Sequence, residues 1–483
     1  MGISKIKFAM LTCICGALVF ASTATAQSGS KPVASALTSP ITVNSPASSV
    51  ASPVTSSVTS PAASSVTAPS VYQDVGAYTT SSYAPEAAPS YFDAAPASSS
   101  CGCSTCGGGG SRLGRGCGGR CGKKCNGWLG DCNLGDQWKL FGSACDEPKY
   151  NIGGWISAGY HEASNDLFNS NPNDFNVHQT WFFAEKVAQA QNGNLGFGWR
   201  FDAIYGIDSG DTQAFGNSAD AFGNARGFDN GFDRGGDFGW AIPQLYGEVA
   251  GDNWSAKVGH FYTLVGYEVV TAPDNFFCSH AITMYNSEPF THTGAVGTFN
   301  LSDDLTVYAG WTLGWDTGFD QFDSGSNFIG GFSAPIGDNS SLTYITTIGD
   351  FGARGGDAYG HSVVIDTAVT DQFNWVVQSD LLRVGDTGED NVGLNQYFLY
   401  SINECLGVGS RLEWWKGDSL TGYAPHGGVL PAGGGSHSYY AATFGVNVKP
   451  HANVIIRPEY RVDWSPAVGY DEGYFGVDVI ALY

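Results

Sequence analysis

The sequence predicts an all-β protein: a transmembrane, antiparallel, up-and-down β-barrel of about sixteen strands, preceded by a disordered N-terminal region. Three observations carry this. Between 150 and 483 there are sixteen runs with period-two alternation, most about ten residues long, enough for a tilted strand to cross a bilayer. The connections between them alternate between long and short, as the two rims of an outer-membrane barrel require. The last run, 474–483, ends on Tyr483, with Phe475, Val477, Val479 and Ala481 on one face and Gly476 and Asp478 on the other. Such a strand is suited to closing the sheet on its first member, and in lipid only a closed sheet pairs all its backbone groups.

Composition removes the main alternatives. Among 483 residues, 22 Lys and Arg face 45 Asp and Glu, a net charge of -23, which argues against nucleic acid as a partner. Charged residues are only 14% of the chain and aromatics 13%, with 67 glycines. The glycines have no three-residue period, so collagen is excluded, and the composition of a coiled coil is absent. After the N-terminal segment no apolar stretch reaches the roughly 18 residues of a membrane helix.

The elements follow in order. Lys5 and Lys7, an apolar run from Phe8 to Ala21, and Ala24-Thr25-Ala26 read as an export signal over 1–26, directing the chain to the cell outer membrane. From 27 to 100, nine prolines fall among Ser, Ala, Thr and Val. Such a composition buries too little to offset chain entropy and predicts a disordered spacer. The segment 101–149 is basic and Gly-rich, with Cys101, Cys103, Cys106, Cys117, Cys121, Cys125, Cys132 and Cys145. An even cysteine count in an exported chain predicts disulfides of unknown pairing. A metal site through Cys103-x-x-Cys106 and Cys121-x-x-x-Cys125 lacks clean spacing, and linkage to a wall polymer or another chain is the third option.

The sixteen runs are 150–162, 177–187, 194–207, 240–251, 254–262, 292–301, 305–315, 326–334, 341–350, 361–370, 373–384, 392–403, 406–416, 438–449, 453–464 and 474–483. The connections after odd runs have at least seven residues and those after even runs at most six. This part holds 12 basic and 38 acidic residues, a net of -26. Strand parity turns Arg200, Asp202, Gln244, Glu248, Lys257, Asp380, Arg411, Glu413, Arg457, Glu459, Arg461 and Asp463 inward as pore-lining candidates. They are expected to act as rings of charge or, more simply, as hydrated lumen charges in local pairs. The acids Asp208, Asp211, Asp220, Asp229, Asp233 and Asp237 stand in 208–239 without the spacing of a calcium loop. Neither a cofactor motif, a metal set nor a catalytic motif is present in recognisable form, so no enzyme and no cofactor are expected.

The stretch Lys257-Val-Gly259-His-Phe261-Tyr262, with Gly266-Tyr267-Glu268, Asn275-Phe276-Phe277-Cys278-Ser279-His280 and Pro289-Phe290-Thr291-His292-Thr293-Gly294, resembles the β-barrel porin family of the OmpL-like kind. The likeness continues through Asn300-Leu301-Ser302-Asp303 and Gly314-Trp315-Asp316, and covers 150 to 483. It implies a barrel and a water-filled pore for passive diffusion of small hydrophilic solutes or ions. By its order in the chain, the third long loop, 263–291, resembles the loop that folds into the lumen of sixteen-stranded porins. Its candidates are Tyr267, Glu268, Asp274, His280 and Glu288, whose acids would favour cations. Cys278 in this loop and Cys405 in a turn at the other rim are expected not to pair. Expected partners are the lipid bilayer, the solutes, the barrel-assembly machinery through the C-terminal strand, and by resemblance a homotrimer. The alternative is a structural or adhesive surface protein that uses the barrel as an anchor and the Cys-rich tether as a link.

Overall fold

The computed structural model describes residues 132–140, 150–164, 168–216, 218–219, 225–226, 229, 238–321, 323–418 and 436–483. The expectations for the export signal, the spacer, Cys101, Cys103, Cys106, Cys117, Cys121, Cys125, Cys145, Asp220, Asp233 and Asp237 lie outside the described residues.

Sixteen antiparallel strands form one closed barrel. They are β1 (Asn151–His161), β2 (Phe175–Lys186), β3 (Gly196–Gly206), β4 (Gly239–Ala250), β5 (Trp254–Tyr262), β6 (Thr291–Ser302), β7 (Leu305–Thr312) and β8 (Ser326–Pro335). The second half comprises β9 (Ser340–Asp350), β10 (Ala358–Thr370), β11 (Phe373–Val384), β12 (Glu389–Asn403), β13 (Leu406–Asp418), β14 (Ser436–His451), β15 (Val454–Ser465) and β16 (Tyr470–Leu482). Each strand pairs with its sequence neighbours, and β16 returns to β1 in the register Trp155–Leu482 through His161–Gly476. Two short helices lie in the connections, α1 (Ser209–Thr212) and α2 (Ile282–Ser287). Among the described residues no helix is long and apolar enough to cross a membrane.

The alternation in sequence becomes two faces. On β15, Arg457, Glu459, Arg461, Asp463 and Ser465 are buried toward the interior, while Val454, Ile456, Pro458, Tyr460 and Val462 face outward. On the outer surface Phe197, Phe299, Trp375 and Tyr400 ring the short-turn rim. Tyr205, Trp240 and Trp311 ring the other. Two aromatic belts on an apolar exterior are the membrane-facing surface of such a barrel.

The rule of loop lengths holds as a trend and fails in detail. The connections after β11 and β15 are the four-residue stretches 385–388 and 466–469, and the one after β2 is the nine-residue stretch 187–195. Strands β12 and β16 begin earlier than their alternating cores, at Glu389 and Tyr470, because turn residues with positive φ, Gly388 at 72° and Gly469 at 72°, close tight hairpins there. Residues 132–140 lie along the short-turn rim and are covalently tied to it by the disulfide Cys132–Cys405. Cys132 thus bonds into the barrel and not to a neighbour in the Cys-rich segment. Cys405 and Cys278 do not pair, and Cys278 is free.

Candidate functional site

The connection between β5 and β6, residues 263–290, does not extend away from the barrel. It turns inward and packs against the inner faces of β1–β3 and β11–β16, and at its start Leu264 and Val265 also pack with Tyr246, Val296, Tyr308, Ile329 and Ile345 on β4 and β6–β9. All six residues of α2 within it are buried, as are Phe276, Phe277, Ser279 and His280. A loop has many backbone groups to satisfy, and burying them requires partners. The inward charges of the wall supply them.

Arg411 on β13 donates to Ser279 O at 2.8 Å and to Ser279 Oγ at 3.0 Å. Arg457 on β15 donates to Ala272 O and Asn275 O, each at 2.7 Å, and Arg461 to His280 O at 2.6 Å. Acids of the same strands accept the opposite groups. Glu459 accepts from the N–H of Cys278 at 2.8 Å and of Ser279 at 3.2 Å. Glu413 accepts from the N–H of Ile282, the first residue of α2, at 2.7 Å. The charges are also paired among themselves: Arg411 with Glu268 and Glu413 at 2.6 Å each, Arg461 with Asp463 at 2.7 Å, and Arg457 with Asp478 at 2.6 Å. Ionic hydrogen bonds of this kind are about twice as strong as neutral ones.

Glycines on the wall make room for the loop. The Cβ of any other residue at Gly409 would stand 2.6 Å from Phe276 Cε1, and at Gly445 3.0 Å from Phe277 Cδ1. At Gly393 it would stand 2.5 Å from Thr283 Oγ1. Gly266 has φ +91°, and the Glu288 carboxylate occupies the space its side chain would need.

Within the loop, the five candidates diverge. Burial would raise the Glu268 carboxyl, but the Arg411 guanidinium, His280 and the Ala281 N–H outweigh it and hold the pKa at about 2. Glu288 goes the other way. Burial and the nearby Asp380 carboxylate push it well above the usual range, and Gln378 Nε2 donates to both, at 2.5 Å and 2.7 Å. His280 stands 3.4 Å from Glu268. Asp274 accepts from Thr271 Oγ1 at 2.6 Å and serves the local turn. Tyr267 packs on Tyr397 with ring centroids 4.7 Å apart. Burial, with Glu459 beside it, pushes the free Cys278 thiol up.

The remaining parity candidates also face inward. Arg200 pairs with Asp202 at 2.7 Å and Glu185 at 2.9 Å. Gln244 donates to Asp202 at 3.3 Å. Glu248 and Lys257 are register partners on β4 and β5, and the Lys257 ammonium sits 4.9 Å from the Tyr246 ring centroid. The expectation of hydrated lumen charges needs correction for Asp202, Asp380, Arg411, Glu413, Arg457, Glu459, Arg461 and Asp463. All are at most 3% exposed, because the loop covers the wall that carries most of them.

Several residues that position the loop carry no charge pattern and escape sequence reading. Gln179 on β2 accepts from Ala272 N at 3.0 Å and donates to Val270 O at 2.8 Å. Asp316 accepts from the N–H of Phe290 at 2.7 Å and of Thr291 at 2.8 Å. Arg354 donates to Asn286 O at 2.6 Å and pairs with Glu389. His161 and His178 bring their Nε2 atoms to 3.3 Å, with Asp208 3.5 Å from the His178 Nδ1. They line a cavity of about 10 Å³ beside Cys278, room for one water-sized guest. Asp211 accepts from Tyr285 Oη at 2.9 Å and Asp229 from Ile242 N at 3.1 Å, so these acids of the second long connection serve structure. Among the described residues no group of three or more His, Cys, Asp or Glu is arranged to hold a metal ion.

The opposite wall differs. On β5–β9 the inward residues that keep solvent exposure include Ser255, Thr298, Thr306, Ser333 and Thr343. Thr306 donates to Asn300 Oδ1 at 3.0 Å, and Ser333 and Thr343 share a hydrogen bond of 3.1 Å. Near the short-turn rim this face is hydroxyl-rich, with Lys257 at its edge; deeper in the barrel Val296, Tyr308, Ile329 and Ile345 are buried with Leu264 and Val265 of the loop.

No curated protein matches this chain. Among solved structures, the outer-membrane channel DcaP of Acinetobacter baumannii is 13% identical, with a TM-score of 0.44 over 69% of this chain and 97% of that one. OmpT of Vibrio cholerae, in its trimer form, is 10% identical with a TM-score of 0.42 over 69% and 99%. An anion-selective porin from Comamonas acidovorans is 8% identical with a TM-score of 0.44 over 69% and 99%. A family model described as "Putative beta-barrel porin-2, OmpL-like" matches residues 149–476. That match takes in fifteen strands, the first half of β16 and the inward loop, and the chain belongs to this family of outer-membrane barrel porins.

Proposed function

We propose that the protein is a passive diffusion channel of the outer membrane whose bore is narrowed by the loop 263–290. The observation that carries this reading is the fixed seat of that loop. It is bound through its backbone to Arg411, Arg457, Arg461, Glu413 and Glu459 along one side of the barrel. Sixteen strands enclose more than side chains alone fill, so a loop held to one wall constricts without needing to move. What stays open on β5–β9 is the hydroxyl-rich part near the short-turn rim, with Ser255, Thr298, Thr306, Ser333 and Thr343, which suits small hydrophilic solutes. Since the loop's Glu268 is neutralised by Arg411, its carboxylate adds little to a cation preference, and selectivity falls to Lys257, Glu248 and the rims. A homotrimer and recognition of β16 by the barrel-assembly machinery are part of the same reading.

Planar-bilayer recording tests it. Stepwise, ohmic conductance is expected, with a reversal potential close to zero in a KCl gradient. A barrel that inserts but passes neither ions nor small sugars in a liposome-swelling assay would refute the transport reading.

A further inference from the structure

The chain reaches β1 by way of a strap. With sixteen strands, both ends of the barrel lie on the short-turn rim, and residues 132–140 run along that rim. Three anchorages hold them. Cys132 is bonded to Cys405 in the turn between β12 and β13. The N–H of Leu134 lies 3.4 Å from Glu404 Oε2 in the same turn. Trp138 exchanges two hydrogen bonds with the Asn453 side chain in the turn between β14 and β15, at 2.8 Å and 2.7 Å. Asn453 Nδ2 also donates to Leu482 O at 3.0 Å, so one side chain joins the strap to the end of the closing strand. Gln137 adds a bond to Ala452 O at 3.2 Å.

These attachments lie on the rim, in the turns after β12 and β14, and contact none of the loop residues that fill the interior. They matter if force arrives along the chain upstream of Cys132. Without the disulfide, tension on that stretch would act on the free end of β1, a single strand at the seam of the barrel. With it, tension passes through a covalent bond into a hairpin turn. There it is shared by β12 and β13, each paired along its length on both sides.

We propose that the barrel has a second role as a load-bearing anchor for its N-terminal extension, with Cys132–Cys405 as the coupling that keeps tension off the seam. The partner on the extension is a structure fixed relative to the membrane on the short-turn side. This role stands or falls independently of conductance.

The test is single-molecule force spectroscopy of the full chain in a bilayer, pulled from its N-terminus, before and after mild reduction. In the oxidised protein the first rupture should extract the β12–β13 hairpin, with no earlier step from β1–β2. Its force should exceed that of the β1 step after reduction, since two strands, each paired on both sides, share the load. Reduction, or Cys132→Ser, should restore sequential extraction from β1, while Cys278→Ser should leave the oxidised pattern unchanged. Reduction of the folded wild type keeps the test decisive if the variant fails to assemble. Identical traces before and after reduction would overturn the proposal, as would free thiols at both positions in protein isolated from an oxidising envelope.

Discussion

The two walls of the barrel interior teach different lessons. On the side of β11–β16 and β1–β3, almost every inward charge is buried and bonded to another charge or to the loop backbone. On the side of β5–β9, the inward residues are neutral apart from Lys257: a buried apolar group under Leu264 and Val265, and nearer the short-turn rim hydroxyls that keep some exposure. A buried charge is costly unless it is paired and hydrogen-bonded, so the first wall tolerates its charges only while the loop is in place. The second wall meets the loop only through apolar packing around Leu264 and Val265. Charge here serves to fix a peptide segment, and the neutral wall needs no ion pairs to hold it.

The largest effect should come from breaking the charged wall. Arg411→Ala leaves Glu268 and Glu413 buried with one partner fewer, and removal of one member of such a lattice typically costs about 3–5 kcal/mol. Thermal unfolding in detergent should show it, and single-channel conductance should rise as the loop loosens. If the barrel does not assemble, Arg411→Lys keeps the charge but loses the planar fork and should show a smaller effect of the same sign. An unchanged channel in both variants would mean that the loop is held by packing alone.

Acid should separate the walls next. Glu268 has a folded pKa of about 2 against an ordinary 4.5. A depressed carboxyl contributes stability that is present above the ordinary value and lost as pH falls toward the folded one. The linked loss between about pH 4.5 and 2 is on the order of 3 kcal/mol, at 1.36 kcal/mol per unit. Glu268→Gln should flatten the stability profile in that window. Glu288 is raised, so its linkage has the opposite sign: its contribution is present below the ordinary carboxyl value and fades as pH rises. Glu288→Gln should therefore make the protein less sensitive to alkaline pH. A profile for Glu268→Gln that still falls steeply with acid would place the acid sensitivity elsewhere.

On the neutral wall the effect should fall on selectivity, with little change in stability. Thr306→Lys together with Ser333→Lys should move the reversal potential toward anions and alter the melting temperature little, since neither site is fully buried. A reversal potential that does not move would show that solutes avoid this wall. The smallest effect belongs to the exposed pair Arg383–Asp390, 3.2 Å apart and 62% exposed on both sides. Arg383→Ala should cost no more than about 0.5 kcal/mol, and a larger loss in thermal unfolding would show that exposed pairs matter here.

Much of the barrel was legible because period two in the sequence is period two in space. Leu305, Val307, Ala309 and Trp311 face outward while Thr306, Tyr308, Gly310 and Thr312 face the interior. The inward positions of Arg411, Glu413, Arg457 and Arg461 followed from the same parity. Their roles did not. An arginine bound to the carbonyls of Ala272, Asn275 or Ser279 leaves no trace in the identity of those residues, because every residue carries a carbonyl. The Cys132–Cys405 bond spans 273 residues, and nothing local marks Cys405 as its partner. Gln179 was invisible for a similar reason: one amide with four bonding partners looks like any inward glutamine.

Gly393, Gly409 and Gly445 make the covered wall into a mould, hollowed where Thr283, Phe276 and Phe277 press into it. A mould records the shape of what it was cast around. Within the family, a chain that carries bulky residues at these three wall positions must hold a differently shaped loop, or none at this height.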